Sequence, residues 1–240
     1  MRFPDPPIEG RLIKRYKRFF ADVELASGEL VTAHCPNTGS LLGCDKHGAR
    51  VWLRDSKDEI RKLRYTWQAI EIEGAWINVD TSLPNQVVFQ AIAEGKVPAL
   101  AGYAKIEREV RYGEASRVDI LLTFKNGLKC FVEVKNTTLI LNQVALFPDA
   151  VTERGRKHLT ELSKMVASGA RSVQFFFVSR SDVRAFRPAD EIDVEYARAL
   201  RDASKNGVEV LAYSARVEPQ QLDLGQPLEL QLGGNLARKT

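Results

Sequence analysis

The chain has 240 residues, a formal net charge of +4 and 44% hydrophobic residues, which is enough for one large or two small domains with proper cores. The sequence contains no apolar run near the ~20 residues that span a bilayer, no recognisable signal peptide and no disulfide framework among its three cysteines, so we expect a cytoplasmic protein. The mild positive charge is compatible with a nucleic-acid partner but does not require one.

The first third of the sequence is composed of short strand patterns with almost no helical periodicity. The predicted strands are residues 21–25, 29–34, 50–55, 65–72 and 76–79. Several short strands in succession, separated by turn residues, are typical of a small barrel of the OB-fold kind. We therefore predict an OB-like, nucleic-acid-binding β-barrel over residues 1–81.

A basic and aromatic segment precedes these strands. Its candidate nucleic-acid-binding residues are Arg11, Lys14, Arg15, Tyr16, Lys17 and Arg18. Small barrels of this kind commonly bind nucleic acid through a basic groove with aromatic platforms. The alternative is an edge strand whose cations discourage aggregation while the aromatic rings face the core.

Two histidines and two cysteines lie close together, at His34, Cys35, Cys44 and His47. The adjacent pair would point to opposite faces of an extended strand, and the spacing of the cysteines is not that of a usual zinc knuckle. We expect no zinc here. A tight turn around Pro36-Asn37 is the favoured interpretation.

The remainder of the sequence alternates between helix and strand patterns, and we assign residues 82–232 to a second domain. Its predicted helices are residues 85–94, 151–167 and 192–205, and its predicted strands are residues 105–111, 118–124, 129–134, 172–179 and 208–215. This order predicts a mixed sheet covered by helices. Residues 233–240 are predicted to be a disordered tail.

The central hairpin of this domain carries three charged residues at one end. Asp119 lies near the start of the first strand, and Glu133 and Lys135 share one face of the second strand. Burying such charges is costly unless they are paired or hold a metal. The alternative is a solvated strand end with a simple Glu–Lys pair.

The arrangement of these three residues resembles the PD-(D/E)xK nuclease signature. Two carboxylates are suited to Mg²⁺ or Mn²⁺, so Asp119 and Glu133 are candidate metal ligands and catalytic residues. A metal there would polarise a phosphoryl group and acidify a water, which Lys135 would orient. Other acid-x-Lys triplets, at residues 55–57 and 94–96, lack the apolar strand context.

The helix predicted over residues 151–167 has two faces. Its apolar stripe is Val151, Leu159, Leu162 and Val166, and a second face carries Arg154, Lys157, His158 and Glu161. Cations near a helix N-terminus run against the macrodipole, and a partner anion would explain them. We therefore add Arg154, Lys157 and His158 to the candidate DNA-binding residues, against the alternative of a solvated basic face.

Several stretches together resemble the sugar fermentation stimulation protein family of prokaryotes. They are residues 34–40 (HCPNTGS), 116–119 (SRVD), 132–136 (VEVKN) and 147–162 (FPDAVTERGRKHLTEL). The resemblance implies an OB-like N-terminal domain, a PD-(D/E)xK nuclease-like C-terminal domain, non-specific DNA binding and a regulatory role in sugar metabolism. By position, Asp119, Glu133 and Lys135 fall on the nuclease motif. The extra acid that some nucleases place on the first helix has no clear counterpart, since Glu94 lies at the end of that helix.

Two hypotheses follow from these patterns. The first is an α/β protein of two domains that binds DNA without sequence preference and uses its nuclease-like site only to grip the backbone. The alternative is an active Mg²⁺-dependent nuclease acting on DNA. No helix-turn-helix pattern is evident, so sequence-specific readout in the major groove is not supported.

Overall fold

The computed structural model describes residues 1–58, 60–112 and 116–233. Apart from Gly233, the predicted disordered tail lies outside these residues. Within them, no helix combines the length and apolar character needed to cross a membrane.

The N-terminal part is a closed barrel. Its strands are β1 (Ile8–Tyr16), β2 (Phe20–Leu25), β3 (Leu30–His34), β4 (Arg50–Asp55), β5 (Tyr65–Ile72) and β6 (Ala75–Asn78). The sheet order is β3-β2-β1-β4-β5-β6, and a further pairing of β3 with β5 closes five strands into a barrel. The predicted OB-like fold is confirmed.

The basic segment is a central strand of this barrel. β1 pairs with β2 on one side and with β4 on the other, so the edge-strand interpretation of residues 11–20 is wrong. Leu12 is buried, whereas the cations on either side of it, Arg11 and Lys14, are exposed. Because many residues of the segment are basic, the alternation of apolar and polar residues that marks a half-buried strand is not evident in the sequence.

The second part is a mixed α/β unit. Its elements are α1 (Pro84–Ala93), a 3₁₀ turn (Pro98–Leu100), β7 (Tyr103–Tyr112), β8 (Ser116–Phe124), β9 (Lys129–Thr137), β10 (Ile140–Leu141), β11 (Val144–Phe147), α2 (Glu153–Ala167), β12 (Arg171–Val178), β13 (Ala185–Pro188), α3 (Val194–Lys205), β14 (Glu209–Glu218), β15 (Gln221–Pro227) and β16 (Glu229–Leu230). The main sheet has the order β15-β14-β12-β9-β8-β7, with β9, β12 and β14 parallel. The predicted mixed α/β architecture is confirmed.

Helices cover both faces of the main sheet, and the buried strand β12 shows why. Phe175 and Phe177 pack into the core on the α1 side, whereas Phe176 packs into the core formed with α2 and α3. Successive side chains of a strand point to opposite faces, so a run of three phenylalanines requires both faces to be covered.

Three features differ from the sequence-based expectations. β15 continues the main sheet beyond Glu218, where no strand was predicted. A small sheet of order β10-β11-β13-β16 was also missed, because strands of two to four residues have no detectable period. Val151 was wrongly placed on the apolar stripe of α2. It precedes the helix and is 69% exposed, because the side chain of Thr152 caps the helix by accepting from Gly155 N.

Candidate metal and nucleic-acid site

The site lies at the open end of the β8–β9 hairpin, opposite its turn. β8 and β9 pair from Thr123–Lys129 to Ile120–Val132, and the turn between them places Gly127 at φ 82°. Beyond Ile120 the backbone ladder stops, and Asp119 Oδ2 accepts a hydrogen bond from Val134 N at 2.7 Å. The hairpin prediction is confirmed, and a carboxylate takes the place of a ladder carbonyl at its open end.

Glu133 and Lys135 meet on one face of β9. Lys135 Nζ donates to Glu133 Oε1 at 2.6 Å, and Glu133 is only 2% exposed. The alternative of a solvated strand end is therefore wrong. The second oxygen, Glu133 Oε2, is buried and makes no hydrogen bond with the described part of the chain. Such orphaned polar atoms are uncommon, and an unrecorded ion is one standard explanation.

The two carboxyl groups have opposite electrostatic environments. Burial, and then the neighbouring charge of Glu133, raise the pKa of Asp119 to about 6. Burial also acts to raise the pKa of Glu133, but the hydrogen bond from His158 and the charge of Lys135 outweigh it and lower that pKa. Glu133 is therefore held as an anion next to a carboxyl group that resists ionisation.

His158 belongs to this cluster. Its Nδ1 makes a short contact with Glu133 Oε1 and lies 3.1 Å from Lys135 Nζ. The helical pattern placed His158 on a basic face with Arg154 and Lys157, but α2 turns it inward against β9. Periodicity could not show this, because the contact joins two elements far apart in sequence.

A further residue of the site comes from the first turn of α1. Asn85 Nδ2 donates to Asp119 Oδ1 at 2.7 Å. Glu94, the acid considered from the sequence, is instead paired with Lys96 at the end of the helix. The nuclease pattern calls for an acid on this helix, so the neutral side chain of Asn85 was not predicted as part of the site.

The donor set fits a hard divalent cation in part. Among the described residues, no three His, Cys, Asp or Glu side chains are arranged as a metal-binding group. Asp119 and Glu133 supply two carboxylates, one with an orphaned oxygen, and Mg²⁺ is usually held by one or two carboxylates together with water and substrate phosphate. These two residues are the ones that could hold it.

Three of the five predicted barrel cations have structural partners. Arg15 donates to the carbonyl oxygens of Asn37, Gly39 and Ser40. Arg11 donates to Gly48 O. Lys14 pairs with Asp22 at 3.6 Å and lies over the ring of Tyr16, which itself stacks on Phe20 at 5.3 Å.

Four other predicted cations are exposed to solvent and make no ion pair with a residue that the structure describes. Lys17 and Arg18 form the turn between β1 and β2, and Arg154 and Lys157 lie on the first two turns of α2. These side chains are free to contact a polyanion.

The cysteine–histidine segment has structural roles. Cys35 and Cys44 lie in the barrel core, and His47 Nδ1 contacts Ile13 O at 2.7 Å. Asn37 Oδ1 accepts from Gly39 N, which is the predicted tight turn. The loop of residues 36–40 then reaches the second part of the chain, where Ser40 Oγ donates to Asp149 at 2.7 Å, just before α2.

Two family models match the chain in succession. One, described as the SfsA N-terminal OB domain, covers residues 13–79, and the other, the sugar fermentation stimulation protein RE domain, covers residues 82–221. The chain belongs to the sugar fermentation stimulation protein family. The family predicted from the sequence is thus confirmed.

Curated relatives and a solved structure agree with this assignment. A sugar fermentation stimulation protein homolog of Geobacter metallireducens is 52% identical over 95% of this chain and 98% of its own length. The homolog of Maricaulis maris is 50% identical over 97% and 99%. The structure of Pyrococcus furiosus SfsA in complex with Ca²⁺ is similar with a TM-score of 0.87 and 28% identity, covering 96% of this chain and 98% of that one.

Proposed function

We propose that this protein binds DNA through its phosphate backbone and holds one phosphodiester at a divalent-metal site formed by Asp119 and Glu133, with Lys135 beside it. The observation that carries the proposal is the buried, unpartnered Oε2 of Glu133 beside a second carboxyl group and a lysine. The Ca²⁺ complex of Pyrococcus furiosus SfsA supports a divalent ion. We assign the barrel of residues 1–81 and the α/β unit of residues 82–232 as two cooperating domains.

Each residue of the cluster has a separate task in this proposal. Asp119 and Glu133 would hold Mg²⁺ or Mn²⁺, which supplies Lewis-acid polarisation of the phosphoryl group. Asn85 fixes the orientation of the Asp119 carboxylate through its Oδ1. Lys135 and His158 both engage Oε1 of Glu133, which leaves Oε2 as the oxygen for the ion.

The open cations provide the rest of the proposed DNA contact. Lys17 and Arg18 on the barrel, and Arg154 and Lys157 on α2, would neutralise phosphates without reading bases. The stacked pair of Tyr16 and Phe20 offers a surface on which a base can stack. We propose that any regulatory role in sugar metabolism, which the family name suggests, acts through this sequence-tolerant binding in the cytoplasm.

Salt dependence of binding tests the first part of the proposal. Labelled single- and double-stranded DNA should bind with an affinity that falls linearly on a log–log salt plot, because phosphate neutralisation releases counterions. Lys157→Ala should lower the slope by about one unit. Lys125→Ala, at the opposite end of the hairpin, is the matched control and should leave the slope unchanged. Affinity insensitive to salt, or strong preference for one base sequence, would refute the proposal.

Phosphodiester cleavage is the second candidate function, and the position of Lys135 favours it. An ammonium beside a metal-binding carboxylate is placed to act on the attacking water, so it contributes more in the transition state than in the ground state. In a working nuclease, Lys135→Ala should abolish Mg²⁺- or Mn²⁺-dependent cleavage and leave DNA binding nearly intact. In a protein that only grips phosphate, wild type cuts nothing and the same variant weakens binding modestly.

A further inference from the structure

A cavity of about 80 Å³ lies beside the proposed site, between the 36–40 loop of the barrel and the end of β9. Phe147 forms part of an apolar wall, and the polar lining comes from Asn37, Thr81, Asn136, Thr137, Thr138 and Asp149. The volume is several times the ~10–15 Å³ that one water requires. The cavity can therefore accept a group larger than a single water.

One polar atom of the lining lacks a partner. Thr137 is 2% exposed, and its Oγ1 makes no hydrogen bond within the described residues. A buried hydroxyl without a partner destabilises the folded state, so it is expected to find one when the cavity is filled. Thr137 also follows Lys135 by two residues on β9. The two side chains therefore share a face of the strand, and their Cα atoms are separated by roughly 7 Å along it.

The loop keeps this cavity formed. Ser40 Oγ donates to both Oδ2 and the carbonyl oxygen of Asp149, at 2.7 and 3.0 Å. Thr81 Oγ1 donates to Pro36 O at 2.9 Å, and Arg15 holds the loop from the barrel side. Because Ser40 joins the loop to the second part of the chain and the other bonds hold the loop to the barrel part, the lining is preorganised before any ligand arrives.

We propose that this cavity binds a sugar hydroxyl of the nucleotide whose phosphate lies at Lys135. This inference rests on the proposed nucleic-acid binding and adds a specificity to it. The neutral hydroxyl and amide groups suit a hydroxyl that both donates and accepts, and the carboxylate of Asp149 disfavours a phosphate. The apolar wall fits the carbon face of a sugar ring.

Two kinds of nucleic acid can supply the sugar hydroxyl, and the experiment must distinguish them. An internal deoxyribose has no free hydroxyl, so a 5′-phosphorylated DNA strand can offer only its 3′-terminal hydroxyl. RNA offers a 2′-hydroxyl at every internal position. The first source would make this a site for strand ends, and the second a site that prefers RNA.

The test measures binding of three 5′-phosphorylated oligonucleotides of one sequence, in Ca²⁺, the ion of the Pyrococcus furiosus complex. They are DNA with a 3′-hydroxyl, DNA ending in a dideoxynucleotide, and RNA ending in a dideoxynucleotide. We expect wild type to bind at least one hydroxyl-bearing strand about tenfold more tightly than the strand without hydroxyls, as one well-made hydrogen bond allows. The strand that binds more tightly shows whether the cavity takes the 3′-terminal hydroxyl of DNA or the 2′-hydroxyl of RNA.

Two variants separate a ligand contact from a structural role. Thr137→Val removes the orphaned hydroxyl, so it should raise the Tm of the ligand-free protein and abolish the preference for hydroxyl-bearing strands. Ser172→Ala is the matched control, because Ser172 Oγ is also buried and unpartnered among the described residues but lies at the other end of the strand pairing. It should raise the Tm as well and keep the preference.

The outcomes are distinguishable. Salt-sensitive binding of all three strands with equal affinity would overturn the cavity proposal alone. A preference that survives Thr137→Val, or that Ser172→Ala also abolishes, would do the same. Absence of binding by every strand would overturn the proposed function together with this inference.

Discussion

Asn85 Nδ2 donates a 2.7 Å hydrogen bond to Asp119 Oδ1 and so connects the first turn of α1 to the open end of the β8–β9 hairpin. A neutral amide therefore stands next to a carboxyl group whose pKa is already raised to about 6 by burial and by the charge of Glu133. A third carboxylate at this position would add repulsion in the metal-free protein and attraction for a cation.

Asn85→Asp should accordingly lower the stability of the metal-free protein and raise its affinity for a divalent metal. We expect a lower Tm without metal, because like charges close together destabilise each other, and a roughly tenfold tighter affinity for Mg²⁺ or Mn²⁺. Titration calorimetry and thermal melts with and without metal check both parts. Asn85→Ala, which removes the hydrogen bond without adding charge, should lower metal affinity. An unchanged affinity in both variants would show that Asn85 does not act on the metal site.

Divalent metal should stabilise the wild-type protein through Asp119 and Glu133. A ligand that binds only the native state at a hundred times its Kd adds about 2.7 kcal/mol to the free energy of unfolding. Glu133→Gln and Asp119→Asn should each abolish the rise in Tm. Glu94→Gln is the control, because Glu94 is paired with Lys96 outside the site, and it should keep the full rise. A wild-type Tm that millimolar Mg²⁺ and Mn²⁺ leave unchanged contradicts the metal assignment.

Variants of Arg15 and Lys17 should distinguish a residue that anchors the 36–40 loop from one that contacts DNA. Arg15→Lys keeps the charge but loses the planar fork that donates to three loop carbonyls, so we expect a loss of roughly 1–3 kcal/mol in unfolding free energy with little change in salt slope. Lys17→Ala removes an exposed cation and should do the reverse, lowering the slope by about one unit. Urea denaturation and salt titrations measure the two effects. A lowered salt slope in Arg15→Lys, or a loss of unfolding free energy in Lys17→Ala with no change in slope, would contradict these roles.

Asp193 should make stability depend on pH. Burial acts to raise its pKa, but hydrogen bonds from Thr152 N and Tyr196 N and the charge of Arg156 lower it overall. The native state then binds this proton less readily than the unfolded state, so the carboxylate stabilises the fold above its unfolded pKa of ~3.9. That stabilisation is lost as pH falls through the lower, native pKa.

Asp193→Asn should therefore be destabilised most at neutral pH. We expect a deficit of roughly 1–3 kcal/mol at pH 7, because one amide oxygen cannot replace both carboxylate oxygens, and a smaller deficit as the pH falls below ~4. Urea denaturation of wild type and variant across this pH range measures the difference. A deficit that stays constant with pH would assign the effect to geometry rather than charge.

Local patterns were enough to predict the hairpin and the placement of Glu133 and Lys135 on one face of its second strand. Both depend on the period of two in a strand and on a turn containing Asn126-Gly127, which are properties of neighbouring residues. The buried strand β12 could also be predicted, since the length and apolar character of its sequence leave few alternatives to a fully buried strand.

Contacts between distant segments could not be predicted in the same way. His158 reaches Glu133 across 25 positions, and Ser40 reaches Asp149 across 109, so no local period encodes either pair. Arg15 was predicted as a DNA contact because its sequence neighbours are basic. Its three carbonyl acceptors could not be predicted, because they become adjacent only when the barrel closes.

The three cysteines, at positions 35, 44 and 130, are all buried. Burial raises the pKa of Cys44 to about 11 and that of Cys130 to about 12, so at neutral pH both remain thiols rather than the reactive thiolates. A maleimide dye should therefore not label these thiols in the native protein. A single cysteine introduced at an exposed position such as Lys125 can be labelled selectively, and fluorescence can report on DNA encounters without first removing the native sulfur atoms.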